Sequence, residues 1–170
     1  MDQLEEGNYI DTETRTDILR NTLTLIATAE KADVVTMDSL TTDAVGTIAI
    51  GEPETVPAGQ YASQVFENMG ITDQLTDKIV YAKDVRAVLN YVETGDADCG
   101  FVYRTDAMLL DEESGSIIGD VDQSLYDEVV YPAAIMKDAP QADYAADFFE
   151  FMQSDFAREV FEKYGFTVNF

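Results

Sequence analysis

Residues 47–70 read TIAIGEPETVPAGQYASQVFENMG, and their reading decides the fold. Thr47–Ile50 is a short apolar run stopped by Gly51, the pattern of a buried strand. After a turn-rich stretch, Tyr61, Ala62, Val65, Phe66 and Met69 recur at helical spacing, so Gly59–Met69 reads as a helix that Gly70 ends. Strand, turn and helix repeat downstream. Lys78–Ala82 is β-like, and Asp84 can cap a helix through Val92 whose Val85, Val88, Leu89 and Val92 share one face. Gly95 ends that helix and Cys99–Tyr103 (CGFVY) is the next strand. Ser116–Ile118 and Val129–Met136 read as two more strands, and Ala142–Tyr164 as one long or two short Phe-rich helices. Upstream, Leu23–Ala27 is β-like, and Asp11 can cap a short helix carrying Ile18 and Leu19. Asp106–Asp127 reads as an acidic loop. Alternating strands and helices predict an α/β fold with a mostly parallel sheet.

The composition narrows function. The chain has 170 residues, of which 46% are apolar and 26% charged, enough for one sizeable core or two small lobes. Ten Lys and Arg stand against 34 Asp and Glu, a net charge of −24. Such a surface repels nucleic acid and anionic membranes. The absence of histidine removes Ser-His-Asp and Cys-His catalysis and histidine-ligated metals. The single cysteine, Cys99, excludes an internal disulfide and reads as a small buried residue. No stretch is long and apolar enough to span a membrane. Met1–Glu6 shows no signal peptide, which fits either a cytosolic protein or a chain whose export signal lay upstream.

In open α/β sheets, ligands lie beyond the C-terminal strand ends, where helices begin. Three points fit that rule. They are Ala58 and Gly59 at the first helix start, Lys83–Arg86 at the second, and Tyr103 with its hydroxyl at a strand end. Amides at helix N-termini, aided by the helix dipole, bind anions without formal positive charge. The competing reading is of ordinary connections whose amides are capped by side chains or water. Asp96, Asp98, Asp120 and Asp122 form two acidic pairs that could serve a carboxylate-dependent metal hydrolase, although no complete ligand pattern is present. Arg86 and Arg104 read as surface ion-pairing residues.

At these residues the sequence resembles the molybdate-binding substrate-binding proteins of ABC transporters. The resemblance rests on IAIGEPETVPAGQY (48–61), DVR (84–86), YVETGDADCG (91–100), VY (102–103), VYPAA (130–134) and KYGFT (163–167). It implies a fold like the type II periplasmic binding proteins, with a tetrahedral oxyanion held by neutral donors. Carried over by motif, the donors are the amides of Ala58 and Val85 and the hydroxyl of Tyr103. The implied ligand is molybdate or tungstate, with sulfate or another anion as the alternative. No catalysis and no further cofactor are implied, and the partner is the transporter's membrane permease, in an extracytoplasmic setting. Residues 28–130 are expected to form one complete lobe. Residues 1–27 (helix and crossover strand) and 131–170 (return strand and C-terminal helices) are expected to be the remnant of the other. The family's serine-bearing N-terminal loops have no counterpart in this sequence, so the resemblance implies a truncated carrier with half a ligand site. Its uncovered Phe-rich helices would then favour a homo-oligomer.

Overall fold

The computed structural model describes every residue, Met1–Phe170. In chain order the elements are α1 (Asp2–Glu6), β1 (Thr16–Asn21), β2 (Leu23–Thr28), β3 (Ile48–Gly51), α2 (Pro57–Met69) and α3 (Thr72–Leu75). Then follow β4 (Ile79–Ala82), α4 (Val85–Glu93), β5 (Cys99–Tyr103), α5 (Arg104–Ala107) and β6 (Gly115–Asp120). The chain closes with β7 (Val129–Ala133), α6 (Ala142–Phe151), α7 (Asp155–Lys163) and β8 (Thr167–Val168).

Two compact units result, one of residues 1–21 and 129–170, the other of residues 22–128. The boundary thus falls before β2, not after it. Leu23–Thr28 is bound on both sides into the sheet of the second unit, through β5 and β6, and so belongs with that unit rather than with the chain termini as a crossover strand.

The second unit is built on a five-stranded sheet of order β4-β3-β5-β2-β6. The sheet is mixed rather than mostly parallel. Strands β4, β3 and β5 run parallel, and β2 runs antiparallel to both β5 and β6. The two faces follow from strand alternation. On one, Ile26, Ala49 and Val102 pack with Val88, Leu89 and Val92 of α4 and Ala107 of α5. On the other, Phe101 meets Phe66 of α2 edge to face, their ring centres 5.3 Å apart. This close, complementary packing of apolar side chains is the main source of the unit's stability.

Local signals explain the element ends. Gly70 takes φ 69°, and the bonds from Gly70 N to Glu67 O (3.0 Å) and from Ile71 N to Phe66 O (3.0 Å) close α2 as the sequence predicts. Asp84 caps α4 by accepting from the amide of Ala87 at 2.8 Å. The turn between residues 38 and 46 is pinned by Lys78, whose ammonium donates to the carbonyls of Leu40, Thr42 and Val45 at 3.1, 2.6 and 2.8 Å.

The first unit holds a three-stranded antiparallel sheet of order β7-β1-β8. Here the expected helix after Asp11 is replaced by a strand. Ile18 and Leu19 are buried in β1, where pairing on both edges outweighs the local capping signal. Asp11 instead closes a turn, accepting from the amide of Glu13 through its carboxylate (3.1 Å). The Phe-rich segment forms two helices, the second capped by Ser154 on the amide of Ala157 (3.2 Å). Phe148, Phe151 and Phe156 follow one another across α6 and α7 with ring centres 6.4 and 6.0 Å apart. They remain largely exposed, Phe148 at 60% and Phe156 at 64%.

Candidate functional site

Three parallel neighbouring strands end at one edge of the second unit, and each hands the chain to a helix. Strand β3 ends at Gly51, paired with Ala82 at the end of β4, and β5 runs on the other side of β3 to end at Tyr103. Ala58 is the second residue of α2, Val85 the first of α4, and Tyr103 immediately precedes α5. The three residues singled out from sequence therefore stand at the same end of adjacent strands.

The start of α2 is shaped by close approach. Glu52 extends the β3–β4 pairing through its amide to Ala82 O (2.8 Å), and Thr55 and Val56 turn back onto Glu52 O (3.0 and 2.8 Å). The helix then runs back against its own strand so closely that a Cβ on Gly59 would overlap the carbonyl oxygen of Gly51 and lie 2.5 Å from its carbon. Only glycine permits that contact.

This geometry decides which amides face outward. Pro57 has no N–H, and the amides of Gly59 and Gln60 turn to Val56 O at 2.9 and 3.1 Å. Ala58, as second residue, has no intrahelical carbonyl to meet. Val56 supplies no side-chain cap and the first turn of α2 carries no acidic residue, so no side chain of that turn opposes the positive end of the helix. At α4, Ala87 is taken by Asp84 and Val88 bonds to Asp84 O (3.3 Å), which leaves the first two amides, Val85 and Arg86, pointing out of the helix. Asp84 also places a negative charge there, which weakens the field of α4 relative to that of α2. Tyr103 is half-buried, opposite Leu23 of β2.

Arg104 pairs with Asp120 at 3.2 Å on the surface, a weak contact in solvent. Burial raises the Asp106 carboxyl above its usual range, while the nearby Arg86 cation and a bond from Thr105 oppose the rise. The helix-start amides at this edge are neutral groups in fixed positions. Cys99 is buried at the far end of β5, and burial, with Asp98 adding to it, pushes its thiol up to about 12.

The four carboxylates considered for a metal do not assemble. Asp98 precedes β5 at the opposite end of the sheet, accepting from the amides of Gly46 and Thr47 (2.6 and 3.2 Å). Asp120 ends β6 beside Thr24 (2.8 Å), four residues along β2 from Thr28, whose amide meets Asp98 O. That separation is about 13 Å of strand. Asp96 bonds to Thr94 and Asp122 caps the turn at Ser124. The metal-hydrolase alternative loses its ligand set.

One buried contact of this sheet has no signal in the sequence. Tyr126, inside the supposed acidic loop, is buried and accepts from the amide of Leu23 at 2.9 Å. No periodicity marks a single aromatic residue between acidic ones.

The family model described as bacterial extracellular solute-binding protein matches residues 1–167. The chain is 47% identical over 120 residues to the "Putative ABC transporter substrate-binding lipoprotein YvgL" of Bacillus subtilis (strain 168), covering 71% of this chain and 45% of that protein. It is 35% identical over 175 residues to the molybdate-binding protein ModA of Escherichia coli (strain K12), covering 99% of this chain and 66% of that one. The chain thus spans roughly half to two thirds of the length of these relatives. Among solved structures, the "substrate binding domain of putative molybdenum ABC transporter from Clostridium difficile" superposes with a TM-score of 0.90 at 37% identity, over 100% of this chain and 73% of that one. A match across nearly every residue, together with a shared fold, gives the assignment: the chain belongs to the bacterial extracellular solute-binding proteins.

Proposed function

We propose that this chain binds a tetrahedral oxyanion, molybdate or tungstate, as the substrate-binding component of an ABC transport system outside the cytoplasm. The observation that carries the reading is the convergence of Ala58, Val85 and Tyr103 at one end of three adjacent parallel strands. The amides of Ala58 and Val85 and the hydroxyl of Tyr103 donate to the oxyanion. These donors are neutral, so a dianion is held by oriented dipoles rather than by a salt bridge. The names of the Escherichia coli and Clostridium difficile relatives support molybdenum as the element carried. The lipoprotein name of the Bacillus subtilis relative supports an extracytoplasmic site of action, and the transporter's permease is the membrane partner. The chain performs no catalysis in this reading. Calorimetric titration with molybdate, tungstate, sulfate and calcium tests it. Binding of the first two with sulfate far weaker supports it, and preference for sulfate or calcium refutes it.

The first unit supports a second element of the proposal, association between copies. Phe148, Phe151, Phe156 and Val160 form a contiguous exposed apolar strip on α6 and α7, larger than isolated surface hydrophobics require. A net charge of −24 opposes pairing, so the dimer strengthens with salt. Sedimentation at micromolar concentration, at low and high salt, is the test. A monomer under both conditions refutes association.

A further inference from the structure

The proposed donors sit on different elements. Gly59 against Gly51 and Phe66 against Phe101 seat α2 on β3 and β5, which leaves the gap between α2 and the start of β2, opposite Tyr103, to be fixed by other contacts. Tyr126 spans that gap. Its hydroxyl accepts from the amide of Leu23 (2.9 Å), and Leu23 stands opposite Tyr103 in the β2–β5 register. Its ring meets Tyr61 edge to face, the centres 5.9 Å apart, and Tyr61 lies one turn beyond Ala58 on α2. The ring is buried, at 6% exposure.

The segment around Tyr126 is bound to the same helix at three further points. Gln64 of α2 donates to the carboxylate of Asp127 (2.8 Å) and accepts from the Asp127 amide (2.9 Å). Asn68, one turn on, donates to Leu125 O (2.8 Å). Gln123 closes the segment on itself by donating to Tyr126 O (3.0 Å). Residues 125–127 are thus fastened along α2 by paired side-chain bonds, and Tyr126 reaches from there to the strand that neighbours Tyr103.

We infer that Tyr126 is a positioning residue of the oxyanion site, bracing α2 against β2 so that the distance between the Ala58 amide and Tyr103 is fixed and selects the larger tetrahedral anions. The inference rests on the proposed oxyanion function. A rigid gap matched to molybdate leaves sulfate, the smaller ion, unable to meet both sides at once. A loosened gap relaxes that discrimination, since a site that can close down regains contact with the smaller ion.

The test uses Tyr126→Phe, which keeps the ring and removes the hydroxyl acceptor, and Gln64→Ala, which cuts the Asp127 bonds and leaves Tyr126 intact. Two readouts are taken on the full chain. The first is amide hydrogen exchange without ligand. The brace predicts that Tyr126→Phe speeds exchange at Leu23 and along Gln60–Gln64 of α2 at least tenfold, with Ala87 and Val88 of α4 unchanged. General loss of stability would instead speed both helices alike and overturn the inference. The second is the ratio of molybdate to sulfate affinity, with sulfate titrated at millimolar concentration. The ratio is expected to fall at least threefold in Tyr126→Phe and by less, in the same direction, in Gln64→Ala. An unchanged ratio in both variants overturns the selectivity role. A wild-type chain that binds neither ion overturns the functional reading together with that role, and the exchange pattern then decides the brace by itself.

Discussion

Replacing Gly59 by alanine tests the close approach on which the start of α2 depends. In an ordinary helix interior the change adds about 1 kcal/mol of stability, because glycine has the larger conformational freedom to lose. At this position the new Cβ overlaps the Gly51 carbonyl oxygen and lies 2.5 Å from the Gly51 carbonyl carbon and 3.0 Å from its Cα. Non-bonded carbons rest about 3.5–4.0 Å apart, so the helix start must retreat by about 1 Å or the strand end must distort. The obstacle is backbone and cannot rotate away. Overpacking of this kind costs about 1–3 kcal/mol. With a urea dependence of about 2 kcal/mol/M, a loss of about 2 kcal/mol lowers the unfolding midpoint by about 1 M. The same 1 Å retreat takes the Ala58 amide from about 2.9 Å to beyond hydrogen-bond range of a bound anion, so oxyanion affinity falls as well. Gly119→Ala is the control, because a Cβ there meets nothing within 4 Å. Urea unfolding of the two variants beside the parent is the assay. A Gly59→Ala protein as stable as the parent, or more so, would refute the packing argument.

Three further outcomes follow from the same geometry. Tyr103→Phe removes one hydrogen bond to a charged ligand, about 1.5–3 kcal/mol, so the calorimetric molybdate affinity should drop roughly 10- to 150-fold. The Cys99 thiol, ordinarily at 9.0, is pushed up to about 12 by burial. It keeps its proton in the fold and loses it on unfolding above pH 9, so its contribution makes stability fall as pH rises from 9 toward 12. Urea midpoints across that range should decline less in Cys99→Ala than in the parent. The net charge of −24 repels a dianion at long range, whereas the helix-start amides act at contact. Stopped-flow association with molybdate should therefore be slower at low ionic strength and quicken as salt screens the surface; rates that fall with salt would point to a local basic funnel.

Elements whose evidence is local were legible in the sequence. The strand-turn-helix at residues 47–70 announces itself through an apolar run, a breaker and a helical stripe, and Asp84 and Gly70 behave as caps because capping involves only a few neighbouring residues. The strand-to-helix junctions at Ala58–Gly59 and Lys83–Arg86 and the strand end at Tyr103 are legible by the same logic, and the structure sets them at one end of adjacent strands; the proposal of Ala58, Val85 and Tyr103 as donors comes from the family motifs. What depends on distant pairing was not legible. Thr16–Asn21 (TDILRN) has only two adjacent apolar residues and no strand alternation to set against the cap at Asp11, and becomes a strand through β7 and β8, which lie more than 100 residues away in sequence. The apolar run Leu23–Ala27 carries no mark of direction, so neither its antiparallel setting nor its membership of the second unit could be read. Tyr126 is a further case, since its hydroxyl meets a backbone amide 103 residues distant.

The most direct test of the account is an amide-resolved NMR titration of the chain with molybdate. The site proposed here requires the largest shifts, saturating together, at the amides of Ala58 and Val85, with Tyr103 perturbed beside them and the opposite sheet edge around Thr28, Lys31 and Asp98 unaffected. Shifts centred on that opposite edge, or none at millimolar molybdate, would contradict it.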